Sequence, residues 1–327
     1  MTGPDTRNIY ATSGPVRRIP VRSNGTNPYN ADVYLLSNNK NSKGFSYNFT
    51  FTVDRAWING FAFNANYTYG NSVVTNEGTS SQNNSQWNTM ESVNGRNFLP
   101  RSTSDFNLGH RINAYIAKKV NYFGKNLGTT FSLVYNGQSG NPFSYTYRNS
   151  PINDVSVTGT NDLIFVPTEA QISDMIFNSN TIGAKTYTAA EQKALLNDYI
   201  SNEAYLKKRR GQYAERNGAR LPFTNIVDLK IQQDFNLKLG AKTYQLQLTY
   251  DVFNFTNMLN RDWGRQYFLS FDQYALIQFS GYRAGTTIPT YRFSPIPDNA
   301  PPYGISISTV PSYSARHISQ LGVRLNF

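Results

Sequence analysis

The sequence predicts an all-β fold, the C-terminal part of an antiparallel transmembrane β-barrel, and three observations carry this prediction. Apolar and polar residues alternate over segments of roughly 9 to 13 residues, close to the length that crosses a bilayer at a tilt. Short turns and very long connections alternate between these segments. Aromatic residues make up 14% of the 327-residue chain, yet its mean hydropathy is only −0.51. A barrel explains this combination, because one side of each strand faces lipid and the other faces a wet lumen.

The alternation is clearest at the C-terminus, where Leu321, Val323 and Leu325 alternate with polar residues or glycine and Phe327 ends the chain. The same period of two recurs elsewhere, strongly in 45–57, 61–69, 227–239 and 244–252, and more weakly in 106–118 and 127–147. These segments give about seven strands, with Val33 to Ser37 as a candidate eighth. We expect the odd-numbered residues of 45–57, 61–69 and 321–327 to face lipid, because alternate side chains of a strand share one face.

A soluble β-sandwich would also alternate, so other features must separate the two folds. The polar face carries Asn, Gln, Asp or Lys at nearly every position, as a water-filled lumen would. Aromatic residues cluster toward the strand ends, as in the interfacial girdles of membrane barrels. They are Phe45, Trp57, Tyr67, Tyr69 and Tyr244. These features favour the membrane barrel.

The turns differ between the two ends of the strands. Ile58-Asn59-Gly60 fits a three-residue hairpin loop, Gly240-Ala241 fits a two-residue type II′ turn, and 121–126 forms another short connection. By contrast, 70–104, 148–223 and 257–314 are long and rich in Asn, Ser, Gly and Pro. Because outer-membrane barrels keep short turns in the periplasm, the long segments are predicted to be extracellular loops and the C-terminus to be periplasmic.

The Gly240-Ala241 turn sets a register in which opposed residue numbers sum to 481. This places Leu237 opposite Tyr244 on the lipid side, and Lys230 opposite Asp251 and Gln232 opposite Thr249 on the lumen side. Asp228 would face Phe253 and need another partner. Opposite charges facing each other across antiparallel strands contribute about 0.2–1 kcal/mol, which agrees with this register without enforcing it.

One long loop contains a helix. Thr188 and Glu191 form a capping box, apolar residues follow at helical spacing from Leu195, and Gly211 is the predicted stop. The basic run 207–210 would complement the negative end of the helix dipole. A site for nucleic acid or another anionic ligand is the alternative interpretation.

The composition narrows the function classes. The formal net charge is +11, from 31 Lys and Arg against 20 Asp and Glu. Basic residues interleaved with aromatics also describe nucleic-acid platforms, but the strand periodicity favours contact with anionic lipid headgroups, and we expect no nucleic-acid partner. The chain has no Cys, no apolar run long enough for a transmembrane helix and no secretory signal at its start. Since a barrel must be exported and single-chain bacterial barrels have even strand numbers, we expect further strands before residue 1.

Several segments resemble TonB-dependent outer-membrane receptors of the Oar-like group, relatives of the SusC/RagA nutrient importers. They are 206–220 (LKKRRGQYAERNGAR), 228–235 (DLKIQQDF), 250–257 (YDVFNFTN), 136–143 (NGQSGNPF), 161–167 (NDLIFVP) and 320–327 (QLGVRLNF). The resemblance implies a larger barrel of about 22 strands with an N-terminal plug domain inside it. It also implies coupling to TonB through a box near the N-terminus, and neither plug nor box is visible here.

The resemblance also assigns a role to Phe327, because a terminal aromatic on the last strand is the signal that barrel-assembly machinery reads in that family. The expected partners are outer-membrane lipid including lipopolysaccharide, the missing plug and strands, TonB through the missing N-terminus, and a surface lipoprotein or other outer-membrane protein. No cofactor is expected.

The residue types that enzymes need are sparse. Of the two His residues, His110 and His317, both fall on the lipid face by parity, so we expect neither a metal pair nor a catalytic base. No P-loop, zinc motif or nucleophile elbow occurs. The lumen carboxylates are expected to pair with basic residues across strands rather than to act as acids and bases. The carboxylates are Asp54, Asp228, Asp234 and Asp251, and the basic residues are Lys230, Lys238, Arg111 and Arg324.

The leading hypothesis is therefore the barrel wall and substrate-facing outer loops of a TonB-dependent nutrient-uptake receptor in the outer membrane. The alternative is a non-transporting outer-membrane interaction protein that binds a partner protein or a surface glycan through its loops. An outer-membrane enzyme is disfavoured.

Overall fold

The computed structural model describes residues 1–9, 43–96, 98–124, 126–154, 160–240, 242–293, 304–305 and 315–327. A seven-strand path forms the main sheet, with the spatial order β1-β2-β4-β5-β13-β14-β19 and every neighbouring pair antiparallel. Its strands are β1 (Phe45–Ile58), β2 (Phe61–Val74), β4 (Gly109–Tyr122), β5 (Leu127–Gln138), β13 (Thr224–Leu239), β14 (Lys242–Phe253) and β19 (Ile318–Asn326), and the short β3 (Ser102–Thr103) pairs with β2. Within the described part of the chain, β1 and β19 are unpaired on their outer edges, so the sheet is a partial barrel.

The registers place most of the apolar residues of the seven strands on one face. Phe49 lies opposite Tyr69 at one edge of the sheet, and Leu248 lies opposite Val323 at the other. Residues that lie opposite each other share a face. The registers of the strands in between therefore place Phe49 and Leu248 on the same side of the sheet. The predicted shared face of the odd-numbered residues is therefore confirmed for 45–53, 61–69 and 321–325. Among the described residues no part of the chain covers this face, and Leu321 is 81% exposed.

The turn after β1 differs from the prediction. β1 ends at Ile58 and β2 begins at Phe61, so the loop has two residues rather than three. Asn59 and Gly60 both have positive φ, 54° and 73°, which is the type I′ geometry that Asn-Gly favours. A β-bulge between Arg55 and Ile58 inserts one extra residue, so Ile58, and not Trp57, lies opposite Phe61. The prediction for Trp57 was wrong because the bulge reverses the alternation beyond Arg55.

The register of the β13–β14 hairpin agrees with the predicted sum of 481. Leu237 lies opposite Tyr244, Gln232 opposite Thr249, and Lys230 opposite Asp251 with 2.9 Å between Nζ and Oδ1. The type of the turn depends on Ala241, which lies outside the described residues. Asp228 finds its partner in the backbone, since the amide of Asn254 donates to its carboxylate at 2.7 Å.

The polar face is joined by side-chain bonds across strands. Asp234 accepts from Lys119 at 3.0 Å, although β5 lies between their strands. The Lys119 side chain can reach across β5 because Gly128, which lies between the two residues, has no side chain. A Cβ atom at position 128 would lie 3.2 Å from Lys119 Cε. The predicted partners were Lys230, Lys238, Arg111 and Arg324, and only the Lys230–Asp251 pair forms among the described residues. Asp54 instead accepts from the amide of Asn64.

The two rims of the sheet are unlike. The short-turn rim carries 59–60, 123–126, 240–241 and the C-terminus, as predicted. The opposite, long-loop rim carries the three long connections, which run over 75–108, 139–223 and 254–317. The predicted strand over 127–147 is two strands, because β5 ends at Gln138 and β6 (Pro142–Arg148) joins another sheet.

The described parts of the long connections, with residues 1–9, pack into what we call the loop domain. Its centre is a five-stranded sheet of order β12-β6-β16-β17-β8, formed by β12 (Ala219–Arg220), β6, β16 (Gln273–Tyr282), β17 (Pro289–Arg292) and β8 (Ile176–Phe177). The smaller strands are β7 (Phe165–Val166) with β11 (Gln212–Tyr213), β9 (Asn180–Ile182) with β10 (Lys185–Tyr187), and β15 (Tyr267–Phe268) with β18 (Gly304–Ile305). The helices are α1 (Asn83–Thr89), α2 (Glu169–Asp174), α3 (Ala189–Asn202) and α4 (Phe255–Leu259), with 3-10 turns at Leu206–Lys208 and Ser270–Asp272.

The hydrophobic core of the described chain lies in the loop domain. Its buried cluster extends from Phe143 to Phe293 and contains side chains of the second and third connections. Tyr145, Ile164 and Ile277 are at most 1% exposed. The main sheet adds no residue to this cluster, so the apolar side chains of its uncovered face need a different apolar environment.

Helix α3 begins as predicted, with the capping box between Thr188 and Glu191. It ends at Asn202 rather than at Gly211, and the basic run follows it in a 3-10 turn. Arg210 donates to the Asn197 carbonyl and to Ser201 near the end of α3. Arg210 therefore contacts α3, but the predicted position of the basic run at the helix end was wrong, because the last turn of α3 contains no basic residue. The candidate strand Val33 to Ser37 lies outside the described residues. No helix in the described part is long and apolar enough to span a membrane.

We expect a charge on the apolar face to hinder membrane insertion far more than the same charge on the polar face. Leu248→Arg should cost about 2–4 kcal/mol, the usual penalty for Arg on the lipid face at mid-membrane depth. Thr249→Arg is the matched control, because Thr249 lies on the polar face opposite Gly322, which has no side chain. Urea unfolding of the protein folded into lipid vesicles measures both. Equal losses in the two variants would contradict the assignment of the faces.

Candidate ligand-binding site

A buried arginine ties the second long connection to the first. Arg216 Nη2 lies 2.7 Å from Glu77 and 2.9 Å from Asp105, and its Nε lies 3.2 Å from Glu91. Its Nη1 also donates to the Ser102 hydroxyl. The Arg216 side chain is 4% exposed, and buried ion pairs of this kind depend on every partner being present.

The residue after Arg216 completes the junction. Asn217 has a positive φ of 56°, and its backbone amide donates to Ser144 Oγ in β6 at 2.9 Å. Its side-chain amide donates to the Thr103 carbonyl at 2.9 Å and to Asp105 at 2.6 Å. The segment 206–220, which carries part of the family resemblance, is thus the segment that joins the loops.

The third connection meets this junction through Gln273. The Gln273 amide donates to Glu91 Oε1 at 2.9 Å, and its carbonyl oxygen accepts from the Thr160 hydroxyl at 2.9 Å. Burial raises the pKa of the Glu91 carboxyl, and the neighbouring Arg216 guanidinium opposes that shift. Glu91 therefore contacts side chains of both other connections.

A cavity of about 600 Å³ opens beside this junction. It is lined by side chains of all three connections, namely Thr79, Gln86, Thr89, Met90, Glu91, Asp105, Thr160, Arg216, Phe271, Asp272 and Gln273. Burial, and to a smaller extent the Asp105 carboxylate, raises the pKa of Asp272. A cavity of this volume can hold a small molecule. Nine of its eleven lining residues are polar, so it suits a polar ligand.

Two residues of the lining have an unusual backbone. Phe271 and Asp272 are consecutive non-glycine residues with positive φ, 57° and 51°. Each costs on the order of 1–3 kcal/mol, and such strain concentrates at functional sites. Phe271 is also 89% exposed next to the cavity. Hence the geometry points to this cavity as the candidate site.

The residues singled out from the sequence lie elsewhere. Phe327 is 94% exposed at the short-turn rim. His110 lies on the apolar face opposite Tyr69, as predicted, with its Nδ1 2.7 Å from the Tyr67 hydroxyl. His317 is exposed directly before β19. In the described residues, no three His, Asp or Glu side chains converge as a metal site would require.

Sequence reasoning missed Glu91, Asp272 and Phe271, which stand in polar loop sequence without periodicity. Arg216 lies within the segment 206–220, but nothing in that segment indicates which of its basic residues is buried. The cavity forms only where three distant segments meet.

Replacing Arg216 should loosen the first connection while leaving the sheet folded. Arg216→Gln leaves Glu77 and Glu91 buried without a counter-charge, which costs roughly 3–5 kcal/mol. Hydrogen exchange and limited proteolysis should show faster exchange and new cleavage within 75–108. Lys185→Gln is the control, because the exposed Lys185–Glu191 pair spans 3.7 Å and should matter little. This role would be contradicted if 75–108 were as protected from hydrogen exchange and proteolysis in Arg216→Gln as in the wild type.

A buried carboxyl gives the loop domain a pH dependence. Asp162 is 2% exposed and accepts from the Ser150 hydroxyl, and burial raises its pKa from 3.8 to about 6. Because the folded state holds this proton more tightly than the unfolded state, stability should fall as pH rises from about 4 to about 6 and then level off.

Asp162→Asn should remove that part of the pH dependence. It should stabilise the loop domain above pH 6 by up to roughly 3 kcal/mol, since each pKa unit corresponds to 1.36 kcal/mol. Hydrogen exchange of the Leu163 amide between pH 4 and pH 7, corrected for intrinsic rates, measures the difference, and Asp198→Asn on the exposed side of α3 serves as control. An identical pH profile in wild type and Asp162→Asn would refute the assignment.

The comparisons with known proteins agree with this architecture. Residues 6–262 match the family model described as an outer membrane beta barrel domain. Searches of curated proteins and of solved structures returned no significant match. The matched region covers most of the chain and includes six strands of the main sheet and the Arg216 junction. In such domains the apolar face of the sheet contacts lipid. The chain therefore belongs to the outer membrane β-barrel domain family, and the protein is located in the outer membrane.

Proposed function

We propose that this chain forms the barrel wall and the substrate-facing outer loops of a TonB-dependent nutrient-uptake receptor. The observation that carries the proposal is the open cavity of about 600 Å³ that all three long connections line at one rim of a membrane sheet. A receptor needs a solute site at the outer end of its barrel, and long loops of outer-membrane barrels are extracellular. The short-turn rim and Phe327 are then periplasmic.

The unpaired edges of the sheet support a larger barrel. In the described part of the chain, β1 and β19 each have one unpaired edge. Bare N–H and C=O groups along these edges would be costly in lipid, so further strands are expected to pair with both. The six segments that resemble Oar-like receptors imply that these strands belong to a wall of about 22, closed around a plug that couples to TonB. Lipid including lipopolysaccharide surrounds the wall in this proposal, and a surface lipoprotein is a candidate partner above the loops.

We further propose that the cavity binds its ligand without transforming it. Activation of a hydroxyl nucleophile requires an adjacent base. The lining hydroxyls donate elsewhere, Thr79 to the Gln86 carbonyl oxygen, Thr89 to the Ser85 backbone and Thr160 to Gln273. None of these acceptors can take a proton.

An uptake experiment tests the proposal. Cells with and without the gene are given a defined mixture of oligopeptides and oligosaccharides, and depletion of each solute is followed with and without a protonophore. Gene-dependent uptake that stops when the proton-motive force is collapsed, and that is absent in a strain lacking TonB, is the expected result. Binding at the cell surface that ignores the protonophore would instead support the non-transporting interaction protein.

Deleting Phe327 should lower the amount of the protein in the outer membrane without lowering its synthesis. The physical reason is that the exposed terminal ring extends past the last paired residue, Asn326, where assembly machinery can bind it. Membrane fractionation and heat-modified gel mobility measure the folded fraction. Phe327→Tyr keeps an aromatic ring and should behave as wild type. Normal insertion of the deletion variant would leave Phe327 with only a packing role.

A further inference from the structure

A second pocket lies at the membrane boundary, apart from the cavity between the loops. Its volume is about 340 Å³, and its lining joins β13 to the third connection. The lining residues are Phe223, Asn225, Val227, Thr256, Asp262, Trp263, Gly264, Arg265 and Tyr267. Val227 lies opposite Tyr135 on the apolar face, so the pocket opens on the lipid-facing side of the wall.

The depth of this pocket in the membrane follows from its neighbours. The Tyr135 hydroxyl donates to Asn225 at 2.7 Å near the long-loop ends of β5 and β13. The Phe223 ring extends over Gly137. A Cβ atom at position 137 would lie 3.0 Å from that ring and 2.4 Å from the Tyr135 hydroxyl. Amphipathic rings on the outer face of a barrel collect at the level of the lipid headgroups. The pocket therefore lies at headgroup depth.

The part of the third connection that lines the pocket has exposed apolar side chains, as a segment at a membrane interface does. Met258 and Leu259 in α4 are 44% and 61% exposed, and Trp263 is 53% exposed. These side chains stand next to a lipid-facing strand, where an acyl layer removes them from water. Two arginines, Arg261 and Arg265, follow in the same segment.

Arg265 is positioned for an anion. Its Nε donates to the Arg261 carbonyl at 3.1 Å, and its Nη2 contacts the Asp262 carboxylate. The Arg265 side chain is 31% exposed and that of Asp262 is 71% exposed, so the carboxylate is the more solvated partner and the easier one to displace. A phosphate that replaced it would gain charge-assisted hydrogen bonds from the guanidinium.

We propose that this pocket binds the phosphate-bearing headgroup of a lipid in the leaflet that borders the long-loop rim. Arg265 holds the phosphate, Trp263 and Phe223 flank the glycerol or sugar region, and the acyl chains continue along Val227 and the apolar face below it. The site is independent of the proposed transport function, because it needs only the outer-membrane location.

Native mass spectrometry of the full chain in detergent tests the site, with phosphatidic acid and a diacylglycerol of the same acyl chains as probes. Wild type should prefer phosphatidic acid, and Arg265→Gln should bind it roughly tenfold more weakly with unchanged diacylglycerol binding. Asp262→Asn should bind phosphatidic acid more tightly than wild type, since a competing carboxylate is gone, and unchanged binding would count against the site. Trp263→Ala should weaken binding of both probes.

Arg283→Gln is the matched control, because Arg283 is an exposed arginine in another turn of the third connection. Heat-modified mobility confirms that each variant is folded, and the Asp262→Asn result decides the matter if Arg265→Gln fails to fold. Equal affinity of wild type for the two probes would overturn the proposal. So would an equal loss in Arg283→Gln, or complete displacement of the lipid by millimolar inorganic phosphate, which would mean a free-anion site.

Discussion

The alternation of apolar and polar residues, held in one register across seven strands, is the constraint on which this structure depends. A shift of one residue in any pairing would turn the apolar side chains of that strand toward the polar face. The short turns prevent such a shift at two positions, Asn59-Gly60 and Gly240-Ala241, because each leaves only two residues between paired strands. The β-bulge after Arg55 is the exception. It is confined to the last residues before a turn, so the central part of β1 keeps its apolar side toward lipid.

A second constraint acts at the long-loop rim, and it is electrostatic. Arg216 brings three carboxylates of the first connection together, and Gln273 of the third connection binds one of them, Glu91. The buried core cluster of the loop domain contains side chains of the second and third connections. The first connection is attached to them by this polar junction, by the backbone bonds of Ser92 to Asn161 and Leu163, and by the Arg96–Asp154 ion pair. The candidate cavity lies where the apolar core and the polar junction meet, and its shape therefore depends on Arg216.

The sheet could be predicted well from the sequence, because a strand with one face in lipid and the other in water needs alternating apolar and polar residues. The register of Lys230 against Asp251 followed from one turn and from parity alone. The bulge near Trp57 could not be predicted, since an inserted residue changes no local composition. The Arg216 junction and the cavity could not be predicted for another reason. Their residues come together only through long-range packing of segments without periodicity. The basic run before Gly211 shows the difference, since the helix was predicted but its end at Asn202 and the partners of Arg210 were not.

The pairing of β6 with β16 has a consequence for the order in which the protein acquires its structure. Ser144 lies beside Gln273 in this parallel pair, so the contact closes a very long stretch of chain that includes the β13–β14 hairpin. Contacts of such high sequence separation form slowly, whereas antiparallel hairpins with two-residue turns form locally and fast. We therefore expect the central sheet of the loop domain to form late, after the hairpins have brought the long connections to the same rim. A solute that binds between the loops can meet its complete site only after that last step.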